Sequence, residues 1–416
     1  MDSKRYIHFG TFDAERYWRP DDVVSLPAIV DRQGQRIIAQ MDQLLSIRCQ
    51  PDDILMARTA FSPALRAALI EANIRFFEHP LPPFPQLQAE QMVSSLPATY
   101  NLAPYAVTNA VTALKHHWQF TSPLPDAENV ARLSSKTWSN QWVISHQLPG
   151  DCEVITEVAQ LRRYAMDQDS IGFILKDPYG VAGRGTIHIT SSAVLENICR
   201  HLEKQIRSGI ELVLLAQPFL PRRTDFSAHL YISESGNIEW LGFRQMQNNG
   251  FAYSGSGALT SSMIIRLTEE RYQDLACKLA TDIAQQGYFG PLCIDAMLLE
   301  DDRIIPVLEV NPRVSMGLLS LLLEKKFASE FAVDMCVWSV KITSTDFIER
   351  LLLQLDKQAV MAAQDRPGIL PLSSATLLCP RGRLYFARVY PADRPEAAAG
   401  YEEQLLRALE ASGGAL

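Results

Sequence analysis

The chain has 416 residues, of which 47% are hydrophobic and 21% are charged, and its formal net charge at pH 7 is −8. This length exceeds what one hydrophobic core usually serves, so we expect two to four structural units. The acidic balance argues against a nucleic-acid-binding protein and against docking on anionic membranes, because both partners require a basic surface.

The first unit, residues 1–122, is predicted to be a small wound α/β domain. Short apolar runs alternate there with a helical pattern, and the predicted elements are strands at 5–12, 52–59 and 74–79 and a helix at 62–73. We also predict a helix over 101–118, on a mostly apolar background. The proline-containing stretch 121–129 interrupts the pattern and marks the end of this domain.

The next part of the chain is rich in predicted strands, and we divide it into two subdomains, 123–210 and 211–340. The predicted elements are strands at 172–177, 186–190, 211–220, 227–233, 238–246, 291–299 and 304–311 and helices at 192–208 and 268–286. Thr268 is the candidate N-cap of the second helix, and Gly287 is its candidate stop signal.

The last segment, 341–416, predicts a helix followed by a small α/β unit, with strands at 375–379 and 383–390 and a helix at 400–412. The seven cysteines of the chain are dispersed and show no Cys-x-x-Cys spacing, which favours reduced thiols over a zinc site or disulfides. The N-terminus lacks the apolar core of a signal peptide, and no apolar run reaches the roughly 18 residues of a spanning helix. We therefore expect a cytoplasmic protein with no membrane partner.

Three glycines follow Lys176 in the stretch "KDPYGVAGRG", at Gly180, Gly183 and Gly185. Backbone N–H groups can approach an anion closely only where no side chain intervenes, and the lysine adds a positive charge. The stretch is therefore a candidate phosphate-binding loop. The alternative is an ordinary hairpin turn with a lysine beside it, and the stretch alone does not decide between the two.

The two predicted strands before and after Asp302 carry carboxylates on an apolar background. If the turn between them is three residues centred on Asp302, the antiparallel register places Asp295 opposite Glu309, and Asn311 points to the same face. Two carboxylates and an amide oxygen are hard ligands of the kind Mg²⁺ prefers. The alternative is a solvated hairpin face, but carboxylates on an apolar hairpin need a partner, so we favour a metal site.

A lysine before a glycine loop, then Gln-Pro, then Asp…Glu-x-Asn-Pro-Arg, resembles the ATP-grasp superfamily over about residues 125–325. The block at 10–20 resembles the start of the pre-ATP-grasp domain of amino-acid and peptide ligases in natural-product pathways. Examples are the pheganomycin-type peptide ligases and the butirosin enzyme that loads glutamate onto a carrier protein. The stretch 368–378 resembles their C-terminal unit. The resemblance implies an α/β (α+β) ATP-grasp fold with an N-terminal wound domain and a small C-terminal α+β unit.

The resemblance also implies how ATP and metal would bind. The phosphates would meet two lysines and the glycine loop, the adenine would meet a hinge at 217–220, and the ribose would meet an aspartate. The implied nucleotide-binding residues are Lys136, Lys176, Gly180, Gly183, Arg184, Gly185, Gln217, Pro218, Phe219, Leu220 and Asp225. The implied metal ligands are Asp295, Glu309 and Asn311, for two Mg²⁺ ions, with Mn²⁺ as an alternative.

Two positions depart from the family pattern. Gln217 replaces the usual hinge glutamate, and Cys293 stands where relatives of D-alanine–D-alanine ligase keep an arginine. Arg244 and Arg313 are the candidate catalytic residues that supply this charge, and their alternative role is a surface ion pair. We expect an acceptor pocket between the N-terminal unit, the stretch after Arg313 and the polar segment 244–258, which is otherwise a plain connector.

The resemblance implies a ligase that activates an amino-acid or peptide carboxylate as an acyl phosphate and joins it to an amine. Three alternatives stay open: a carrier-protein thiol as the acceptor, a nucleotide-binding regulatory protein without turnover, and a carboxylase-like enzyme that uses bicarbonate. The expected partners are small-molecule substrates and, for the first alternative, a carrier protein. The sequence leaves a homodimer open.

Overall fold

The computed structural model describes residues 4–27, 31–81, 96, 99–168, 172–180, 185–250 and 252–416. The described residues form three β-sheets, one parallel and two antiparallel, with helices packed on them. This arrangement confirms the predicted α/β class. None of the helices in these residues is long and apolar enough to cross a membrane.

The N-terminal unit is built on a parallel sheet, as the sequence predicts. Its strands are β1 (Tyr6–Phe9), β2 (Ile54–Ala57), β3 (Phe77–Pro80) and β4 (Asn101–Pro104). Its helices are α1 (Glu15–Trp18), α2 (Arg32–Ile38), α3 (Pro63–Glu71) and α4 (Asn109–His117), with a 3-10 helix at Met41–Arg48. The strand order is β3-β2-β1-β4, and every pairing is parallel.

The prediction of one helix over 101–118 is wrong at its start. The first residues pair with β1 as strand β4, and helix α4 begins only after Thr108. The Thr108 side chain caps this helix by accepting a hydrogen bond from the Val111 N–H at 3.4 Å. The last residue of β4 is Pro104, which has no N–H to donate in a helix. Pairing in the sheet therefore outweighs the local helical pattern.

The second unit holds a four-stranded antiparallel sheet in the order β5-β8-β6-β7. These strands are β5 (Glu153–Ile155), β6 (Phe173–Lys176), β7 (Thr186–Ile189) and β8 (Leu214–Pro218). Its helices are α5 (Ala127–Leu133), α6 (Lys136–Ser145), α7 (Val158–Met166) and α8 (Ser192–Ile206). Strand β8 completes this sheet although it lies beyond the predicted division at residue 210.

The central sheet has nine strands, and its pairings are antiparallel. They are β9 (Arg222–Ile232), β10 (Ile238–Asn249), β11 (Ala252–Gly257), β12 (Gly290–Leu299), β13 (Ile304–Asn311), β14 (Phe331–Ile342), β15 (Gly368–Pro371), β16 (Arg381–Pro391) and β17 (Gly414–Ala415). The path is β13-β12-β9-β10-β11-β14-β16-β15, and β17 pairs with β14. The C-terminal strands thus extend the sheet that carries the predicted metal ligands.

Five helices accompany the central sheet: α9 (Ser261–Glu269), α10 (Tyr272–Gln285), α11 (Met316–Glu324), α12 (Phe347–Lys357) and α13 (Ala397–Ala411). The helix predicted over 268–286 is divided between α9 and α10, because Arg271 takes a left-handed conformation with φ of 55°. Thr268 lies inside α9 and donates to the Ile264 carbonyl at 2.8 Å, so its prediction as an N-cap is wrong. Gly287, with φ of 84°, does follow the end of α10.

Two further predictions change in the structure. The stretch 244–258 belongs largely to the β10–β11 hairpin, so it is not a plain connector, and its place beside an acceptor pocket stays a prediction. Its Gly257 lies so close to the next strand that a Cβ would sit 2.3 Å from Asp334 Oδ1. The predicted strand at 375–379 is absent, because its first N–H donates to the Gln43 side chain at 3.0 Å instead of a neighbouring strand.

Candidate active site

One face of the central sheet carries a row of four polar side chains from adjacent strands. The register pairs Glu309 of β13 with Asp295 of β12. It also pairs Asp295 with Ser227 of β9, and Ser227 with Arg244 of β10. Directly opposed residues of antiparallel strands point to the same face. The predicted juxtaposition of the two carboxylates is therefore confirmed.

The turn of the β12–β13 hairpin differs from the predicted one, although the two carboxylates still face each other. Near the turn, Met297 pairs with Ile305, which centres the hairpin on Asp301 and not on Asp302. A β-bulge between Asp295 and Met297 then shifts the register and brings the carboxylates opposite each other. A bulge beside a functional side chain is a common way to aim that side chain.

Asp295 is held by two donors next to a second carboxylate. Asn311 Nδ2 donates to Asp295 Oδ2 at 3.0 Å, and Cys293 Sγ donates to Oδ1 at 3.3 Å. Burial, and then repulsion from Glu309, raises the pKa of Asp295 above its usual range. Such a carboxylate pair is stabilised by a cation, and its oxygen donors fit Mg²⁺. The described residues contain no cluster of three or more His, Cys, Asp or Glu side chains that could hold a metal, so the candidate site here depends on two carboxylates and the Asn311 amide.

The amide of Asn311 has a defined orientation. Its Oδ1 accepts from an Arg313 guanidinium nitrogen at 3.0 Å, while its Nδ2 faces Asp295. Because arginine can only donate and an ionised carboxylate can only accept, these two partners fix which end of the amide is which. The amide oxygen keeps a second lone pair, so Asn311 remains a predicted metal ligand beside its contact with Arg313.

Lys136 joins the carboxylates to the glycine-rich segment. It is the first residue of α6, after the N-cap Ser135, and it is buried. Its Nζ lies 2.9 Å from Glu309 Oε2 and donates to the Gly180 carbonyl at 2.5 Å. A phosphate group placed here would meet a lysine beside the carboxylate pair that is predicted to bind metal, which is an environment that suits phosphoryl transfer.

The ends of the glycine-rich segment are close together. Asp177 N donates to the Gly185 carbonyl at 2.7 Å, and a Cβ on Gly185 would lie 3.0 Å from Gly180 Cα. Gly185 also has φ of 81°, a backbone conformation that residues with a side chain rarely adopt, so the structure favours glycine at this position. Gly183 and Arg184, also predicted to bind nucleotide, lie outside the described residues.

Lys176 meets the predicted adenine hinge directly. Its Nζ donates to Gln217 Oε1 at 2.6 Å, and Gln217 Nε2 donates to the Gly150 carbonyl at 2.9 Å. The glutamine that replaces the family's glutamate is therefore buried and hydrogen-bonded at both ends of its amide. This contact brings the second predicted lysine and the hinge together across β6 and β8, the two central strands of the second sheet.

The remaining hinge residues differ in exposure and contacts. Pro218 is exposed, and the Phe219 ring stacks on His188 with centroids 4.3 Å apart. Leu220 packs against a small apolar cluster that continues from β12 and β13. Asp225, the predicted ribose ligand, lies on the same sheet face as Ser227 and accepts from Asn248 Nδ2 at 2.7 Å.

Arg244 and Arg313 are both buried, so the alternative of surface ion pairs is wrong. Arg244 is 2% exposed and pairs with Glu324 at 2.5 Å on helix α11. The Arg313 Nε and one terminal nitrogen contact Glu15 Oε1 at 2.7 and 2.6 Å. Its other terminal nitrogen donates to the Tyr105 hydroxyl at 3.0 Å. In this conformation both arginines have protein carboxylates as partners.

A buried histidine that the sequence analysis missed lies beside the predicted metal ligands. His229 Nε2 is 2.9 Å from Ser227 Oγ, and its Nδ1 is 3.3 Å from Ser315 Oγ. Burial, with the nearby Arg244 charge, lowers the pKa of His229 to about 3, so the ring is neutral. The alternation of Ser227 and His229 on an otherwise apolar strand was a usable signal for a polar stripe.

The fold of the chain is shared with solved enzyme structures. Over nearly its whole length the chain has the fold of N5-carboxyaminoimidazole ribonucleotide synthetase, solved as an ADP complex. The TM-score is 0.56 at 13% identity, with 98% of this chain and 97% of that one covered. An L-amino acid ligase from Bacillus licheniformis gives a TM-score of 0.50 at 12% identity, with 97% of each chain covered. The predicted ATP-grasp fold is confirmed.

The amino-acid sequence itself is similar to one particular ligase. The "[Butirosin acyl-carrier protein]--L-glutamate ligase" of Niallia circulans is 23% identical over 317 residues, which cover 73% of this chain and 72% of that protein. The resemblance to natural-product ligases that the motifs predicted is thereby confirmed. No protein-family model matches the chain.

Proposed function

We propose that the protein is an ATP-dependent, ADP-forming ligase that activates a carboxylate and joins it to an amine. The observation that carries the proposal is the convergence of Lys136, Asp295 and Glu309 beside Gly180. This arrangement occurs in a fold that the chain shares with an enzyme solved as an ADP complex and with an L-amino acid ligase.

ATP would lie between the second sheet and the central sheet. Lys136 and Lys176 would meet its phosphates, the hinge at 217–220 its adenine, and Asp225 its ribose. Mg²⁺, as one or two ions, with Mn²⁺ as an alternative, would be held by Asp295, Glu309 and Asn311 and would neutralise phosphate oxygens when bound.

The reaction would proceed in two displacements. A carboxylate oxygen of the substrate attacks the γ-phosphorus of ATP, the bond to the bridging oxygen breaks, and ADP leaves. The amine then attacks the acyl carbon, phosphate leaves with the C–O bonding pair, and the amine loses a proton. Lys136 would neutralise charge on the transferring group, and the glycine-rich segment would keep water from the acyl phosphate.

Arg244 and Arg313 both have roles in the proposed reaction. Arg313 would act through Asn311, whose amide it orients beside Asp295. Arg244 would contribute positive potential from within the same sheet row as Asp295, because it lies two strands away. Their direct contact with a substrate carboxylate stays a prediction, as do the cytoplasmic location and a homodimer.

A second acceptor is favoured by the sequence relative. Its printed name assigns it an acyl-carrier protein as partner and L-glutamate as substrate. We therefore propose, as the alternative, that a carrier-protein thiol takes the acyl group in place of an amine. The activation step and the residues that perform it are the same in both cases.

The test is ADP release from the full chain with the standard amino acids, supplied singly and in pairs, followed by mass spectrometry of the products. Lys136→Met should reduce ADP release at least a hundredfold, because it removes the charge beside Glu309. Lys278→Met, at an exposed position of α10, is the matched control and should match the unmodified protein. Added carrier protein distinguishes the acceptors, because a thioester is cleaved by hydroxylamine and an amide is not. ADP release that is unchanged in Lys136→Met would refute the site.

A further inference from the structure

A cavity of about 700 Å³ separates the N-terminal unit from the central sheet. Its walls come from β1 and β4, from the turn between β9 and β10, and from the stretch after β13 that contains Arg313. The proposed nucleotide and metal residues Lys136, Asp295 and Glu309 do not line it. The cavity therefore adjoins the proposed active site through Arg313 but is a separate space.

Arg48 places an unpaired positive charge in this cavity. One of its terminal nitrogens donates to the carbonyls of Ala103 and Pro104 at 3.2 and 3.3 Å. Among the residues that the structure describes, no carboxylate forms an ion pair with it. Burial lowers the pKa of Arg48, and the charge of the nearby Asp53, which forms no ion pair with it, offsets this lowering only in part. A guanidinium in this condition is a site for an anion with two oxygens.

His8 contributes an acceptor to the same wall. Its Nε2 is 3.1 Å from Asp53 Oδ2, and the carboxylate also accepts the N–H groups of Tyr6 and Gln50 at 2.8 Å each. Because Asp53 can only accept, the Nε2 carries the proton and Nδ1 carries a lone pair. That Nδ1 is buried and has no partner in the described structure, and His8 as a whole is 4% exposed.

Four tyrosines, Tyr6, Tyr105, Tyr231 and Tyr288, line the cavity beside further polar groups that include Lys4, Asp53 and Glu234. Their rings give apolar contact area and their hydroxyls give donors and acceptors. Such walls suit an organic molecule better than a bare inorganic anion, which would leave the rings without a partner.

We propose that this cavity binds a small amino acid, with Arg48 taking its carboxylate and His8 Nδ1 accepting a hydrogen bond from its amino group. One part of this proposal rests on the proposed function. If the protein is a ligase, the bound amino acid is either the acceptor that the ligase consumes or an effector that it does not consume. Arg313 also lines the cavity, and its hydrogen bond to Asn311 connects the cavity to Asp295.

The experiment is isothermal titration of the full chain with each standard amino acid, without ATP. At least one amino acid should bind, and Arg48→Gln should weaken its binding at least tenfold. Arg407→Gln, at an exposed position of α13, is the matched control and should leave the affinity unchanged. Arg48→Lys keeps the charge but loses the planar fork, so it should weaken binding less than Arg48→Gln and serves if the glutamine variant does not fold.

Two results would overturn the proposal: no amino acid binding to the unmodified protein at millimolar concentration, or full affinity in the folded Arg48 variants. The role of a bound amino acid follows from kinetics. If it is the acceptor, it appears in the product and Arg48→Gln raises its KM. If it is an effector, it changes ADP release without being consumed. If an amino acid binds but no ADP is released, the proposed ligase function is refuted and the proposed amino-acid site stands. If ADP is released but no amino acid binds without ATP, the proposed amino-acid site is refuted and the ligase function stands.

Discussion

The buried ion pair between Glu15 and Arg313 offers the sharpest test of how the N-terminal unit supports the site. Their side chains are 6% and 9% exposed, and two guanidinium nitrogens contact the same carboxylate oxygen at 2.7 and 2.6 Å. The other oxygen, Glu15 Oε2, is buried and has no hydrogen-bond partner. The pair therefore lacks the two-pronged geometry that best offsets the desolvation of two charges.

The expected energies follow from this geometry. Glu15→Met or Arg313→Met alone leaves one charge buried and unpaired, which costs about 3–5 kcal/mol of unfolding free energy. The double variant has neither charge and also lacks the unsatisfied Glu15 oxygen. Its loss should be smaller than the sum of the single losses by about 2–3 kcal/mol. Its ADP release should nevertheless stay low, because Asn311 no longer has the donor that orients its amide.

Urea unfolding of the three variants, followed by tryptophan fluorescence, measures the energies, and an ADP assay measures turnover. A coupling energy below about 0.5 kcal/mol would show that the pair carries no special interaction. Recovery of turnover together with stability in the double variant would refute the positioning role of Arg313, because a purely structural pair predicts that result.

Three further predictions address single residues. Glu309→Gln should lower ADP formation at least a hundredfold at saturating Mg²⁺ while urea unfolding stays close to that of the unmodified protein, and near-normal turnover would exclude the metal assignment. Gly185→Val should abolish ADP release. The control is Gly209→Val, because Gly209 has a similar φ of 85° but no atom within 4 Å of an added Cβ, and this variant should lose only stability. Equal losses of activity in the two variants would show that Gly185 has no specific functional role. Burial lowers the pKa of His8 to about 4 from its usual 6.5. As the pH falls, the His8 ring is therefore protonated in the unfolded chain before it is protonated in the folded protein, and the folded protein loses stability between about pH 6.5 and pH 4. The fall is about 2 kcal/mol between pH 7 and pH 5; His8→Gln should lack this component in urea titrations at the two values, and an unchanged pH dependence would contradict the buried neutral ring.

The sequence predicted those parts of the fold and site that depend on local pattern. Alternating apolar residues on both sides of a short polar turn predicted β12 and β13, and the period of two then placed Asp295 and Glu309 together. The bulge that secures this register has no local signature, since it depends on pairing with neighbouring strands. The segment 101–104 was mistaken for helix for the same reason, because its pairing with β1 is decided about a hundred residues away.

Contacts between distant segments explain what the sequence could not show about Arg313. Its motif is local, but its partner Glu15 lies 298 residues earlier in the chain, and no periodicity links two such positions. Arg313 consequently looked available for a substrate carboxylate, whereas the fold supplies one from the N-terminal unit. Among the described residues that line the cavity, Arg48 is a cation without an ion-pair partner, and it lies on a 3-10 helix whose composition gave no sign of a cavity.

These contacts make the N-terminal unit part of the proposed active site. On the metal side, Glu15 holds Arg313, which in turn holds Asn311. On the phosphate side, Arg19 forms an ion pair with Asp177, whose backbone N–H closes the glycine-rich segment through Gly185. Two residues four positions apart, on and just after α1, thus reach both ends of the site. Substitutions of Glu15 and Arg19 should therefore affect turnover as strongly as substitutions among the proposed nucleotide-binding residues, although neither residue contributes a group to the chemistry.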